Sequence, residues 1–142
     1  MRFVFEDSIG YYINKAATIM RLNLYKAFQG ESREITVDYW VVLNRLWQRD
    51  GMIQNELARL TGKDNASITR ILDGMQKKDL VRRQPDENDR RAYKIFLTEK
   101  ARGLETSLKD IAGRNAEMAM KNLSTEEITQ LKRILKKIIM NY

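Results

Sequence analysis

The chain contains neither cysteine nor histidine among its 142 residues. Without cysteine there can be no disulfide bond, thiolate metal site or thiol redox switch. Without histidine the chain lacks the most common general base and the most common metal ligand. It also shows no glycine-rich phosphate loop and no cluster of metal-ligand residues, so catalysis would have to rely on carboxylates or lysines. We therefore expect no enzyme activity, no cofactor and no metal site.

Long apolar runs are also missing. No run approaches the roughly 18 apolar residues that a membrane-spanning helix requires. Residues 1–10 lack the basic start and apolar stretch of a signal peptide. We expect a cytoplasmic protein with no membrane partner. An apolar content of 43% is ordinary for a globular protein, and the length predicts one domain, or two lobes that share a core.

Positive charge is in excess. The 26 lysines and arginines outnumber the 19 aspartates and glutamates, which gives a formal net charge of +7 at pH 7. Such an excess favours a polyanionic partner, either nucleic acid or an acidic membrane surface. Charge alone does not identify nucleic acid, because many basic residues only keep a helix in solution. Four bases of the last helix are interpreted in that way: Lys132, Arg133, Lys136 and Lys137.

The N-terminal half has the apolar spacing of two helices and a short strand. The first helix is predicted over residues 6–28, and Gly30 is predicted to end it. Thr36 is predicted to cap the second helix through its hydroxyl. A turn at residues 50–51 precedes a short strand at residues 52–53.

The middle of the chain predicts two helices joined by a tight turn. The third helix, over residues 54–60, is expected to end at Gly62, which can adopt a left-handed conformation. Asp64 is expected to cap a fourth helix that runs to about Lys78. Two helices joined across residues 61–63 have the sequence form of a helix-turn-helix.

The C-terminal half predicts a hairpin followed by two helices. Residues 80–84 and 92–97 are the expected strands, with Pro85 between them. Thr98 is expected to cap one helix to about residue 118, with weak points at two glycines. Ser124 and Glu127 form a capping box before the last helix. The predicted fold class is mainly α, with a small β component (α+β).

Polar side chains lie off the buried line of the fourth helix. They are Asn65, Ser67, Thr69 and Arg70. Hydroxyls and amides can read base edges and phosphates, and an arginine can bind guanine O6 and N7 together. The alternative is an exposed helix with ordinary polar residues. The helix-turn-helix before this helix and the basic hairpin after it favour DNA contact.

The hairpin mixes bases with acids. The bases are Arg82, Arg83, Arg90, Arg91 and Lys94, and the acids are Asp86, Glu87 and Asp89. We interpret Asp89 as pairing with Arg91 across the turn, which would hold the guanidinium extended before DNA arrives and lower the ordering cost of binding. A narrow A·T-rich minor groove attracts an inserted arginine. The alternative is a solvated turn, whose surface ion pairs contribute little.

The two termini indicate a partner interface. Apolar residues of the last helix lie on more than one side of the helix, and two phenylalanines precede the first helix. Exposed apolar surface of this kind usually marks an interface, although it could instead pack within one chain. A helix-turn-helix protein reads two half-sites about 34 Å apart, which favours a homodimer. The predicted dimerisation residues are Phe3, Phe5, Ile128, Leu131, Leu135 and Ile138.

Three segments together resemble the MarR (multiple antibiotic resistance regulator) family. Residues 89–98, DRRAYKIFLT, are similar to that family's D-x-R…L-T signature, and residues 55–58 (NELA) and 74–81 (GMQKKDLV) also match its pattern. The likeness covers nearly the whole chain. It implies one MarR-type domain over residues 1–142. Within it, residues 36–98 would form a winged helix-turn-helix DNA-binding lobe, and residues 1–35 and 99–142 a helical dimerisation lobe.

The resemblance also implies a function. The expected protein is a ligand-responsive repressor that binds an inverted-repeat operator in double-stranded DNA as a homodimer. Its fourth helix would enter the major groove, and Arg91 of the hairpin the minor groove. The expected DNA-binding residues are Lys63, Asn65, Ser67, Thr69, Arg70, Arg83, Asp89, Arg90 and Arg91.

A small-molecule pocket is the family feature that this chain supports least. Tyr39 and Trp40 are candidate pocket residues for a small aromatic or anionic effector, although such residues more often belong to a core. Two departures from the family pattern concern shape. Ile53 cannot cap the third helix. Asp79 stands where glycine is common, so the turn before Leu80 is expected to be strained or differently shaped. The rival function is a protein-interaction module, whose binding would not fall steeply with salt as DNA binding does.

Overall fold

The computed structural model describes residues 2–142 of the chain. Its elements, in chain order, are a 3-10 turn (Phe5–Asp7), α1 (Ile9–Glu31), α2 (Val37–Gln48), β1 (Met52–Ile53), α3 (Gln54–Thr61), α4 (Asn65–Lys77), β2 (Val81–Pro85), β3 (Tyr93–Leu97), α5 (Glu99–Gly103), α6 (Glu105–Met120) and α7 (Thr125–Met140). The mainly helical α+β class is confirmed, and the helix-turn-helix and hairpin lie where they were predicted.

Both predicted ends of α1 were wrong. The helix begins at Ile9 rather than Glu6, because Ser8 caps it: the Tyr11 backbone N–H donates to Ser8 Oγ at 3.2 Å. It continues through Gly30 to Glu31. Glycine permits a left-handed residue but does not impose one, so Gly30 continues the helix instead of ending it.

The caps of the helix-turn-helix are confirmed. Thr36 Oγ1 accepts the Tyr39 backbone N–H at 3.1 Å, and Asp64 Oδ1 accepts the Ser67 backbone N–H at 2.7 Å. Gly62 adopts the left-handed conformation at φ 66° and ends α3. Ile53 supplies no side-chain cap to α3, as the departure from the family pattern predicted.

The three strands form one antiparallel sheet in the order β1-β3-β2. Val81 pairs with Leu97, and Ile95 is the partner of both Arg83 and Met52. Pro85 is the last residue of β2 rather than part of the loop, a place where the missing N–H is tolerated. Asp79, before β2, has a positive φ of 56°. This conformation is uncommon for a residue with a side chain and matches the prediction of an unusual turn.

The predicted single helix after the hairpin is in fact two helices. Thr98 caps α5 through the Ala101 backbone N–H, but this helix ends at Gly103, and α6 begins at Glu105. Glycine is a poor helix former, and the interruption after Gly103 is a single residue, Leu104, which keeps helical dihedral angles. Gly113, the other expected weak point, lies inside α6 without interrupting it.

The core lies between α2, α3, α4, the sheet and the start of α6. Its fully buried members include Leu43, Leu57, Ile68, Leu72, Ile95 and Leu108. In contrast, α1 buries only Phe28, and α7 buries no residue at all. The terminal helices therefore contribute little to the core within one chain.

Within residues 2–142, no helix combines the length and the apolarity that crossing a membrane would take.

Candidate nucleic-acid interface

The side of α4 opposite the core is polar. Ile68, Leu72 and Met75 are fully buried, so the positions between them face outward. Residues three and four apart lie on the same side of a helix, which places Asn65, Thr69, Asp73 and Gln76 on one exposed line. Arg70 lies beside that line and is exposed.

The Thr69 hydroxyl already has two partners within the protein. It donates to the Asn65 carbonyl oxygen at 2.7 Å and accepts from Gln54 Nε2 at 2.9 Å. Because Gln54 is the first residue of α3, this contact ties the two helices of the helix-turn-helix together.

Arg70 keeps most of its hydrogen-bonding capacity. One guanidinium nitrogen, Nη2, donates to Ser67 Oγ at 3.3 Å. A guanidinium carries five N–H donors, and Arg70 is exposed. Several donors are therefore available for an acceptor outside the chain, as a base or phosphate contact requires.

Asp64, the cap of α4, is held in its ionised form. The backbone N–H of Ser67 lowers the pKa of the Asp64 carboxyl below its ordinary value, and the side chain of Ser67 and the charge of Arg70 act in the same direction. A negative charge is favourable at the positive end of a helix. The start of α4 thus carries an anion even though its surroundings are basic.

Lys63, in the turn before α4, lies beside a carboxylate. Its Nζ is 3.2 Å from Asp38 Oδ1, and Arg21 Nη2 of α1 is 2.7 Å from the same oxygen. Partial burial opposes ionisation of Asp38, but the hydrogen bonds from Arg21 and Lys63 outweigh it and hold the pKa of Asp38 below its ordinary value. The pairing of Asp38 with Arg21 and Lys63 was not predicted from the sequence, because both partners lie far away along the chain.

Arg83 is directed toward α4. Its Nη1 lies 2.5 Å from Asp73 Oδ1 and 3.3 Å from Gln76 Oε1, and its Nη2 donates to the Thr69 carbonyl oxygen at 3.0 Å. Only 18% of the side chain is exposed. The sequence grouped Arg83 with the direct DNA contacts, whereas its guanidinium is engaged within the protein.

Asp73 and Gln76 were missed at the sequence level, although a signal for them exists. Side chains alternate between the two faces of a strand, so Arg83 shares the face of the buried Val81, two residues earlier. A charged side chain on that face needs a partner. Asp73, an acid on the exposed line of the neighbouring helix α4, could have been predicted as that partner.

The hairpin between β2 and β3 is ordered by the carboxylate of Asp89 and by a backbone hydrogen bond across the loop. Asp89 Oδ1 accepts the Arg91 backbone N–H at 3.0 Å, and the Asp86 backbone N–H donates to the Ala92 carbonyl oxygen at 2.9 Å. Among the described residues, no ion pair joins Asp89 to the Arg91 guanidinium, so the predicted pairing of these two side chains was wrong. The aspartate instead forms an Asx turn, which shapes the backbone that carries the arginine.

The tip of the hairpin projects into solvent. Asn88, Asp89, Arg90 and Arg91 are all exposed. Arg91 also lines a groove of about 560 Å³ that lies between the hairpin and α4, together with Gln54, Thr69, Asp73 and Arg83. We call this the α4–wing groove, where the wing is residues 81–97. The fold thus places an arginine of the wing beside the polar line of α4.

The two candidate pocket aromatics pack against other elements of the fold. The ring of Trp40 lies 5.2 Å from that of Phe28 and 5.9 Å from that of Trp47, measured between centroids. The hydroxyl of Tyr39 lies so close to Gly74 of α4 that a Cβ there would overlap it. These contacts account for both aromatics structurally, and their role in ligand binding stays a prediction.

The predicted dimerisation residues leave apolar surface uncovered. Phe3 is 74% and Phe5 61% exposed, and the ring of Phe5 meets the edge of Tyr11 at 5.4 Å between centroids. Leu131 is 40% exposed. The other three predicted residues of α7, Ile128, Leu135 and Ile138, are half-buried.

Residues 35–93 match the model of the MarR family, which covers the helix-turn-helix and most of the wing. Several solved structures share the fold over almost the whole chain. A probable transcriptional regulator from Pseudomonas aeruginosa is 25% identical, with a TM-score of 0.85 over 95% of this chain and 99% of that one. A MarR transcriptional regulator from Methanosarcina mazei Go1 is 27% identical, with a TM-score of 0.83 over 94% of both chains.

A structure with DNA is also similar. A mutant MarR from E. coli complexed with operator DNA has a TM-score of 0.87 and 24% identity, over 96% of this chain and 99% of that one. At this identity the likeness shows the shared fold alone. Taken with the family match and the two regulators above, it shows that residues 35–93 are similar to the MarR family and that the whole chain has the winged-helix fold of the transcription regulators of that family.

Proposed function

We propose that this chain is a transcription regulator of the MarR family, and that it is a repressor that binds an inverted-repeat operator sequence-specifically as a homodimer. Residues 36–98 act as the DNA-binding lobe, and residues 1–35 and 99–142 as the dimerisation lobe. The observation that carries the proposal is the α4–wing groove. Arg91 and the polar line of α4 lie on the same groove, so one duplex can meet α4 in its major groove and Arg91 in its minor groove.

The wing supports a minor-groove contact. Asp89 organises the backbone at Arg91, and both Arg90 and Arg91 are exposed. A narrow A·T-rich minor groove concentrates negative potential and attracts an inserted arginine. Because the turn is already ordered, less conformational freedom is lost when DNA binds.

The outer side of α4 supports a major-groove contact. Asn65 and Arg70 are the exposed candidates for base edges, since asparagine pairs with adenine and arginine with guanine. Lys63 and Ser67 lie at the start of the helix, where phosphates are usually bound. Two relatives by fold have structures with DNA: the E. coli MarR mutant is complexed with operator DNA, and the transcriptional repressor CouR is bound to a 23-mer DNA duplex.

The uncovered apolar surface supports the homodimer. Since α7 buries no residue in one chain, its apolar side needs a partner to leave water. A second copy of the same helices would cover it and set two DNA-binding lobes at a defined spacing. Inverted-repeat operators are read by such pairs, with half-sites about one helical turn apart.

Ligand response follows from the same arrangement. An effector that binds one spacing of the lobes better than another changes DNA affinity by the ratio of its two affinities. One relative by fold is BpsR of Bordetella bronchiseptica, whose structure is described as a mechanism for regulation of DNA binding by 6-hydroxynicotinic acid. A small aromatic or anionic effector is the class that we propose here.

The decisive experiment is selection of bound fragments from a random DNA pool. We expect an inverted repeat to be enriched, and we expect affinity for it to fall steeply as salt is raised. A pool that stays random, with protein partners captured at high salt instead, would contradict the proposal and favour the protein-interaction module.

A further inference from the structure

We propose that Arg83 is a positioning residue that clamps the wing to α4 and so sets the distance between the two DNA-reading elements. The inference rests on the proposed function. It assigns to Arg83 a role other than direct phosphate binding, and it assigns a role to Asp73, an acid on the proposed DNA-binding side of α4.

The clamp joins the centre of the wing to the middle of α4. Arg83 is the third residue of β2 and pairs with Ile95 of β3. Its guanidinium reaches Asp73 at 2.5 Å and the Thr69 carbonyl oxygen at 3.0 Å. Two different nitrogens are used, so the contact restrains the direction of the side chain as well as its distance.

The surroundings make this contact stronger than an ordinary surface pair. Exposed ion pairs contribute little because water competes for both partners. The Arg83 side chain is only 18% exposed, although its partner Asp73 is 53% exposed, so the contact is shielded from water mainly on the arginine side, where Gln76 Oε1 adds a third acceptor. Since Asp73 offsets the charge of Arg83, the arginine attracts a phosphate less than a free arginine would.

The clamp lies beyond the turn that joins α4 to the wing. The connection from α4 to β2 passes through Asp79, whose φ is positive, and Lys78 ends the helix just before it. Beyond Asp79, the wing runs outward to the exposed arginines at its tip. Side chains already hold that turn, since Thr98 Oγ1 donates to the Asp79 carbonyl oxygen at 2.6 Å and Lys100 Nζ donates to the Lys78 carbonyl oxygen at 2.8 Å. Arg83 adds a restraint farther along the wing, on the strand that leads to its tip.

Asp73→Asn distinguishes the clamp from a purely electrostatic effect of Asp73, because the two models predict opposite changes in DNA affinity. Loss of an acid facing DNA should tighten binding if only charge matters. Loss of the clamp should weaken binding to the selected operator by about tenfold, the size usual for a coupled pair, with less loss on random DNA.

Arg83→Gln and the double variant Asp73→Asn with Arg83→Gln complete a double-mutant cycle. If both residues act through one contact, the double variant should bind the operator no more weakly than either single variant. The salt slope of Arg83→Gln should match that of the unaltered protein, whereas a lost phosphate contact would reduce the slope by about one. The matched control is Arg82→Gln, an exposed neighbour on β2, which should affect operator and random DNA equally.

A measurement without DNA keeps the inference separate from the proposed function. Amide exchange of β2 should become faster in Asp73→Asn and Arg83→Gln, but not in Arg82→Gln, with helical content unchanged. If no operator is selected but β2 loosens, the proposed function fails and the clamp stands. Tighter operator binding by Asp73→Asn, additive losses in the double variant, or unchanged exchange in β2 would overturn the clamp.

Discussion

The close packing of α2 against α4 depends on one pair of residues. Gly74 of α4 faces the hydroxyl of Tyr39, and a Cβ at Gly74 would also lie 3.1 Å from Tyr39 Cζ. Glycine is therefore needed here for space, although its φ is not positive. The contact connects a candidate pocket residue directly to the helix that we propose reads DNA.

We expect Gly74→Ala to destabilise the protein. Overpacking costs about 1–3 kcal/mol, and the better helix propensity of alanine returns at most about 1 kcal/mol. Urea unfolding would measure the net loss. Gly113→Ala is the matched control, since nothing lies within 4 Å of the added Cβ, and it should leave stability equal or raised.

Removing the hydroxyl tests the cause of that loss. Tyr39→Phe combined with Gly74→Ala should recover part of the stability lost in Gly74→Ala alone, because the overlapping oxygen is gone. No recovery would show that α4 is displaced by something other than Tyr39.

Arg91→Ala should weaken operator binding and flatten any preference for A·T pairs beside the half-sites. Fluorescence anisotropy on operators with altered flanks would measure both effects. Arg82→Ala removes the same charge from the same hairpin and should leave the flank preference intact. An unchanged affinity in Arg91→Ala would remove the wing from the proposed contact.

Arg70→Ala should cost about 1–3 kcal/mol of operator affinity if Arg70 binds a guanine. Competition with random DNA distinguishes the type of contact. A loss of the same size on random DNA would make Arg70 a phosphate contact instead of a base contact.

At the scale of elements, α4 depends on its first turn. Asp64 accepts the Ser67 backbone N–H, and that contact lowers its pKa. A carboxyl whose pKa is depressed by folding stabilises the folded state above its unfolded pKa, and this contribution is lost as pH falls through the folded pKa. The start of α4 should therefore weaken only in acid, below the ordinary aspartate range.

We expect Asp64→Ala to lower the free energy of unfolding at neutral pH, because the cap is removed. Asp64→Asn should keep most of the free energy of unfolding, since asparagine also caps helices. It should also lose less stability than the unaltered protein when the pH is lowered. Thermal unfolding between pH 3 and 7 would measure both variants. An equal pH dependence in Asp64→Asn and the unaltered protein would contradict this role of the carboxylate.

Element boundaries show where local rules were sufficient. The caps Thr36, Asp64 and Thr98 were predicted because each hydrogen bond joins residues three apart. The division into α5 and α6 was not predicted, since apolar spacing continues through Leu104. The propensity of a glycine does not by itself decide whether a helix is interrupted, because Gly113 lies inside α6 without interrupting it.

At the scale of the whole molecule, the core and the termini differ in kind. The buried residues belong mainly to the middle of the chain, whereas α7 buries none. A face of α7 can therefore be altered without emptying the core, which makes the proposed dimer accessible to a simple test.

Leu131→Asp together with Leu135→Asp should produce monomers, because charges placed in an apolar interface are desolvated without partners. Sedimentation velocity would report the mass, and operator binding should fall because one copy reads only a half-site. Thr129→Asp, on the opposite side of α7, adds a charge of the same sign and should leave dimers. Dimers that persist in the double variant would place the interface elsewhere.

Local sequence was enough for the caps Thr36, Asp64 and Thr98, the β2–β3 hairpin and the unusual turn at Asp79, because each involves neighbours along the chain or a regular alternation. It was not enough for the site. Arg83 and Asp73 are ten residues apart, and Arg21 and Asp38 are 17 apart. Such ion pairs exist only after the elements have packed. For that reason the sequence identified a basic wing, and folding alone determined which arginine holds the wing in place and which is left exposed at its tip.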